Sequence, residues 1–150
     1  MEKKIIFKNK KAEHDYFFVQ EWEAGIVLKG TEIKSIRLGK LNFKDSYARI
    51  DNNEIWVINL HISPYEKTVY FNHEPTRKRK LLLHKKEIRK IKNKVEQEGI
   101  TLVPKSIYIN EMGKCKVLIA LAKGKKLYDK RESLQAKEQE REQARRTKEY

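Results

Sequence analysis

Apolar positions along this chain recur with two periods, and the period decides each element. Ile5-Ile6-Phe7 reads as a short strand, and the polar stretch Lys10 to Asp15 leaves room for one helical turn. Tyr16 to Leu28 is rich in aromatic and β-branched residues, which predicts a long strand with a bend at Gly25. Ile33 and Ile36 share a face of a helix over Thr31 to Leu38, with Thr31 as its cap and Gly39 as its stop. Tyr47 to Ile50 and Ile55 to Ile62 form a hairpin across Asp51-Asn52-Asn53-Glu54, because Asn tolerates the left-handed backbone of tight turns. Ser63-Pro64 ends the second strand, and Tyr65 to Thr76 reads as a surface loop.

Further along, Leu81, His84, Ile88, Ile91 and Val95 are spaced by three and four residues, one face of an amphipathic helix with Gly99 past its end. Its other faces carry Lys85, Lys86, Arg89, Lys90, Lys92 and Lys94. Ile100 to Ile109 and Lys114 to Ala122 form a second hairpin turning at Asn110-Glu111-Met112-Gly113, with Pro104 at an edge or a bulge. From Lys123 the pattern is lost, and after Glu132 only Leu134 is a large aliphatic residue. Such a segment has no face to bury and is expected to be disordered alone. No internal repeat is present. The expected fold is mainly β: a small antiparallel barrel of the oligonucleotide-binding kind in residues 1–122, with about three flanking helices, and a basic tail in residues 123–150.

Charge narrows the choice of partner. Lys and Arg outnumber Asp and Glu by 35 to 21 over 150 residues, an excess that calls for a polyanion. Arg77 to Lys94 holds ten Lys/Arg against one acid, and Lys123 to Tyr150 holds ten against six. A charge run is commonly only a solvated helix face, but the near absence of acids after Arg77 favours phosphate binding. Aromatic residues flank basic ones at Tyr16, Phe17, Phe18 and Trp22, and again at Tyr65, Tyr70 and Phe71. Core packing accounts for most of these, and Tyr16, beside His14 and Lys11, is the one expected to be exposed.

Catalytic and metal chemistry find little support. Cys115 stands alone, so neither an internal disulfide nor a cysteine zinc cluster is expected. HExxH, G-x-S-x-G, Walker A and GxGxxG spacings do not occur, and Lys123-Gly124-Lys125-Lys126 is only a fragment of a phosphate loop. No cofactor and no metal are expected. Ile5 to Phe7 is too short for a signal-peptide core, and the apolar run Val117 to Ala122 is far below the roughly 18 residues of a membrane span. A cytoplasmic protein without a membrane partner is the expectation. An RNA-binding adaptor, a general ribosomal or nucleic-acid barrel protein and an RNA-acting enzyme are the three candidate classes.

Several blocks resemble the SsrA-binding protein family, also called small protein B. They are Asn9-Lys10-Lys11-Ala12 with His14-Asp15-Tyr16, the run from Glu23 to Ser35 (EAGIVLKGTEIKS), the run from His73 to His84 (HEPTRKRKLLLH), and the run from Ala122 to Arg131 (AKGKKLYDKR). They occur in the family's order, and the resemblance covers residues 5–131.

The resemblance implies an oligonucleotide-binding-type barrel that grips the tRNA-like portion of transfer-messenger RNA near its D-loop and elbow. It implies delivery of that RNA, with elongation factor Tu, to the small-subunit RNA of stalled ribosomes, where the protein stands in for the missing codon–anticodon helix. Glu23 and Leu82 match family RNA-binding positions, and His84 stands where some members have Asn. Lys10, Lys11, Lys34, Arg77, Arg79 and Lys80 complete the expected RNA contacts. His14 matches a residue facing the decoding centre, joined by Tyr16. In the tail, Lys123, Lys125, Lys126 and Tyr128 flank the accommodation motif Asp129-Lys130-Arg131, and the tail is expected to become helical on the ribosome.

Overall fold

The computed structural model describes residues 3–68, 71–98 and 100–125. In chain order these form β1 (Lys3–Lys8), α1 (Lys10–Asp15), β2 (Tyr16–Ile26), α2 (Gly30–Arg37), β3 (Leu41–Asn42), β4 (Tyr47–Asp51), β5 (Glu54–Ile58), β6 (His61–Ile62), β7 (Arg79–Leu82), α3 (Lys85–Glu98), β8 (Thr101–Asn110) and β9 (Cys115–Gly124). The expected antiparallel barrel is present. Starting from β8, the strands run β4, β5, β7, β2 and β9, and β9 pairs back onto β8. β1 adds to β8, and β3 pairs with β6 in a separate two-stranded ladder.

Strand alternation fills the ring. Ile55, Val57, Leu81, Ile107, Val117, Ile119 and Leu121 are buried inside, while their sequence neighbours are more exposed on β5 and β7. Ile36 of α2 and Ile91 of α3 are fully buried against the same cluster. Each such aliphatic side chain contributes about 1.5–3 kcal/mol by leaving water.

Local chemistry explains the corners. Asn52 and Asn53 hold φ of 50° and 60° in the β4–β5 turn, as the hairpin required. Pro104 lies at a register shift between Pro104 and Ser106, so it occupies a bulge. Its carbonyl accepts from Asn9 Nδ2 at 2.9 Å, and Asn9 Oδ1 accepts from Ala12 N to cap α1. Gly25 pairs with Lys116 on one side and Leu82 on the other. A Cβ there would stand 3.3 Å from Leu82 Cβ, so glycine lets the two strands approach.

Four expectations change. Thr31 does not cap α2: Lys29 is the N-cap, and Glu32 Oε1 accepts its N–H at 2.7 Å. Thr31 is already inside the helix and bonds His73 Nδ1 at 2.8 Å instead. Ile55 to Ile62 is not one strand, because Asn59 adopts φ 61° and sends His61–Ile62 to a different ladder. Leu81 does not belong to α3: it lies in β7, paired with Ile26 and Ile55. Finally, β9 continues through Gly124, so Lys123 is part of the barrel. Gly99, Tyr70 and residues 126–150 lie outside the described residues.

Candidate nucleic-acid interface

The barrel gathers residues that are distant in sequence. Leu82 lies directly opposite Gly25, and Glu23 is two residues from Gly25 on the same side of β2. Lys80 and Leu82 share that side of β7, and His84 follows before α3. Glu23 and His84 are exposed, and Leu82 is 53% exposed despite its apolar side chain. The Tyr108 hydroxyl on β8 donates to Glu23 Oε2 and fixes the carboxylate's orientation. Lys80 Nζ bonds Glu54 Oε1 at 3.2 Å. Beyond Leu82, Lys85, Lys86, Arg89 and Lys90 of α3 are exposed, so an apolar contact, an acid and a dense cationic face adjoin one another.

A second group sits at the other end of β2. Tyr16 pairs with Gly124 and Phe17 with Lys123. Lys125 Nζ donates to Glu13 O at 3.1 Å and lies 5.2 Å from the Phe17 ring centroid. His14, with an 88% exposed side chain, bonds Asp15 Oδ1 through Nδ1 at 3.0 Å. Lys10 and Lys11 are exposed on α1, and Lys11 lies 3.7 Å from Asp45. Glu23 lies seven positions beyond Tyr16 on β2, about 23 Å of extended strand. Lys34 belongs to neither group. It is exposed on α2, with Nζ 5.3 Å from the Tyr65 ring centroid. Lys126, Tyr128, Asp129, Lys130 and Arg131 lie outside the described residues.

Arg79 is not available to RNA. Its side chain is fully buried, with Nε bonded to Glu32 Oε2, Nη1 to Leu60 O at 2.6 Å and Nη2 to Pro75 O at 3.0 Å. Arg77 is largely committed too, since its Nη2 bonds Glu32 Oε1 at 2.5 Å. Burial alone would raise the Glu32 pKa, but hydrogen bonds from Arg77, Lys29 N and Arg79 outweigh it and hold the carboxyl below its ordinary range. Burial pushes Arg79 down from its ordinary value, against the pull of Glu32. The charge run therefore divides: Arg77 and Arg79 hold the fold, Lys80, Lys92 and Lys94 are half-buried and bonded to Glu54, Asn53 and Gln20, and Lys78, Lys85, Lys86, Arg89 and Lys90 are exposed.

His73 belongs to the same internal network. It is buried, and Nε2 lies 2.8 Å from Ile62 O while Nδ1 meets Thr31. Asn72 clasps Tyr65 through both backbone groups, at 3.2 and 2.9 Å. The loop thus presents Phe71, which is 98% exposed, whereas Tyr16 is half-buried. The aromatic expected to be most exposed was the wrong one, because Tyr16 packs beside Ala12, Val103 and Ala122. Burial pushes the Cys115 thiol up to about 12, which makes it a poor nucleophile near neutrality. Among the described residues no group of three or more His, Cys, Asp or Glu is placed to hold a metal ion. No described helix is long and apolar enough to cross a membrane.

Known proteins of the same pattern carry an RNA assignment. A family profile described as SmpB protein matches residues 6–149. The SsrA-binding protein of Shouchella clausii is 57% identical over 148 residues, covering 99% of this chain and 94% of the relative. That of Caldicellulosiruptor bescii is 56% identical over 147 residues, covering 98% and 92%. A solved structure described as "tmRNA-SmpB: a journey to the center of the bacterial ribosome" is similar with a TM-score of 0.69 and 55% identity, covering 80% of this chain and 84% of that one. A barrel of matching architecture, matched over nearly its whole length, leaves one assignment: this chain belongs to the SmpB family of SsrA-binding proteins.

Proposed function

We propose that this protein binds the tRNA-like portion of transfer-messenger RNA and delivers it to stalled ribosomes, enabling peptide tagging and ribosome rescue. The observation that carries this is its likeness to the SmpB of the tmRNA–ribosome structure. It acts as an adaptor without turnover, and elongation factor Tu accompanies the charged RNA. Glu23, Leu82, His84 and Lys80, with the outward lysines of α3, form the RNA face. Their mixed character suits folded RNA, which is recognised by shape, phosphate contacts and a few base edges. Glu23 is suited to accept a hydrogen bond from a base amino group.

His14, Tyr16, Lys123 and Lys125 form a separate ribosomal face, and the segment from Lys126 onward, with Asp129-Lys130-Arg131, enters the decoding region. The two faces at opposite ends of β2 support a protein that touches two RNAs at once. Sequencing the RNA that co-purifies with the protein from its host tests the assignment. Transfer-messenger RNA should dominate the bound pool, with affinity that falls as salt rises. Bulk tRNA or unrelated duplex RNA competing equally would show a general nucleic-acid-binding barrel instead.

A further inference from the structure

We infer that the trough between the Asn52-Asn53 turn and the start of α3 seats one unpaired nucleobase of the bound RNA. This rests on the proposed RNA-binding function and deepens it. The trough is half open to solvent, with a volume of about 570 Å³, and Asn52, Asn53, Leu82, Lys85, Ile88 and Arg89 line it beside the Glu54–Lys80 ion pair. Ligand sites of this size combine apolar walls with a few polar groups.

Each wall suits part of a nucleotide. Leu82 and Ile88 offer apolar surface to the face of a base. The Asn side chains offer the paired donor and acceptor that a base edge requires. Asn53 Oδ1 already accepts from Lys92 Nζ at 3.2 Å, which anchors its amide. Lys85 and Arg89 are exposed, so their charge is available to the flanking phosphates. The left-handed turn fixes both Asn backbones, and the trough opens beside Leu82, within the RNA face already described. Single-stranded loops, whose bases splay out, are what proteins recognise specifically in RNA.

The test couples the protein to single RNA positions. The tRNA-like portion of transfer-messenger RNA is prepared with one abasic site at each unpaired nucleotide in turn. Affinities are measured for the native protein, for the Asn52→Gly/Asn53→Gly variant and for Arg89→Ala. Glycine accepts the left-handed turn, and all three positions are exposed, so folding is preserved. One abasic position should weaken native binding by about ten-fold or more, the scale of a lost specific base contact. The glycine variant should bind intact RNA that much more weakly and lose its sensitivity to that position, while Arg89→Ala should weaken all RNAs alike. Tight native binding with every abasic effect unchanged in the glycine variant would overturn the pocket and leave the RNA-binding function standing. Failure of the native protein to bind the intact RNA would overturn both.

Discussion

Arg79 and Glu32 meet inside the protein with neither side chain exposed to solvent. The pair ties β7 to α2, and through Leu60 and Pro75 it also ties down the connection between β5 and β7. Removing Arg79 would leave a buried carboxylate with Arg77 as its one remaining cation and Lys29 N as its other donor. Arg79→Ala should therefore cost about 3–5 kcal/mol, the scale for breaking a buried pair. Urea unfolding should show a much lower midpoint. Replacing Arg77, Arg79 and Lys80 together would consequently report on folding before it reported on RNA.

Glu32 also sets an acid limit. Its folded pKa lies below the ordinary 4.5, so the folded state favours the ionised form. That contribution is fully present above the unfolded value and is lost as pH falls through the folded one. Glu32→Gln should be markedly less stable than the native protein at pH 7. The gap should narrow below about pH 4.5, as thermal melts across pH 3–7 would reveal. A gap that stayed constant with pH would show that Glu32 acts by packing alone.

The RNA face should separate binding from stability. Leu82→Ala removes an exposed side chain, and Glu23→Gln keeps an acceptor for the Tyr108 hydroxyl. Each should change unfolding stability by no more than about 0.5 kcal/mol. Each should weaken RNA binding by about 1–3 kcal/mol, the range for a specific base contact. Filter binding alongside denaturant titration checks both halves. Intact affinity with lost stability would make Glu23 a structural partner of Tyr108.

Cys115 should resist alkylation. With its thiol pushed up to about 12 by burial, the native protein should react with iodoacetamide at pH 8 far more slowly than a free thiol. In urea the reaction should reach the ordinary rate. Mass spectrometry at timed intervals reads the difference.

The sequence reveals those features whose local chemistry agrees with the final fold. Asn52 and Asn53 announced a tight hairpin and adopt its backbone; Lys10–Asp15 is helical over the expected residues; and Pro104 marks a bulge. The family blocks pointed to Glu23 and Leu82, and the barrel places both on one side. Arg79 was misread because a dense basic run looks like surface. Its signal was the alternation of Arg79, Leu81 and Leu83, since positions two apart on a strand share a face. Glu32, one helical turn before Ile36 on the same face of a short helix, was the matching hint. Leu81 was drawn into the helix because its spacing to His84 and Ile88 fits a period of 3.6 as well as a strand end. Phe71 could not be singled out, since its exposure depends on Asn72 and His73 clasping the loop from outside any regular element.

The pairing of β2 with β9 has a consequence for synthesis. Tyr16 emerges early but finds its partner only in Gly124, after every other barrel strand has been made. Until then the growing chain carries one edge of β2 unpaired, and the ring cannot close. Local pieces such as the β4–β5 hairpin form first, because their ends are near in sequence. The barrel itself is a late product of translation, so a chain that is cut short before β9 has no route to a closed RNA-binding face.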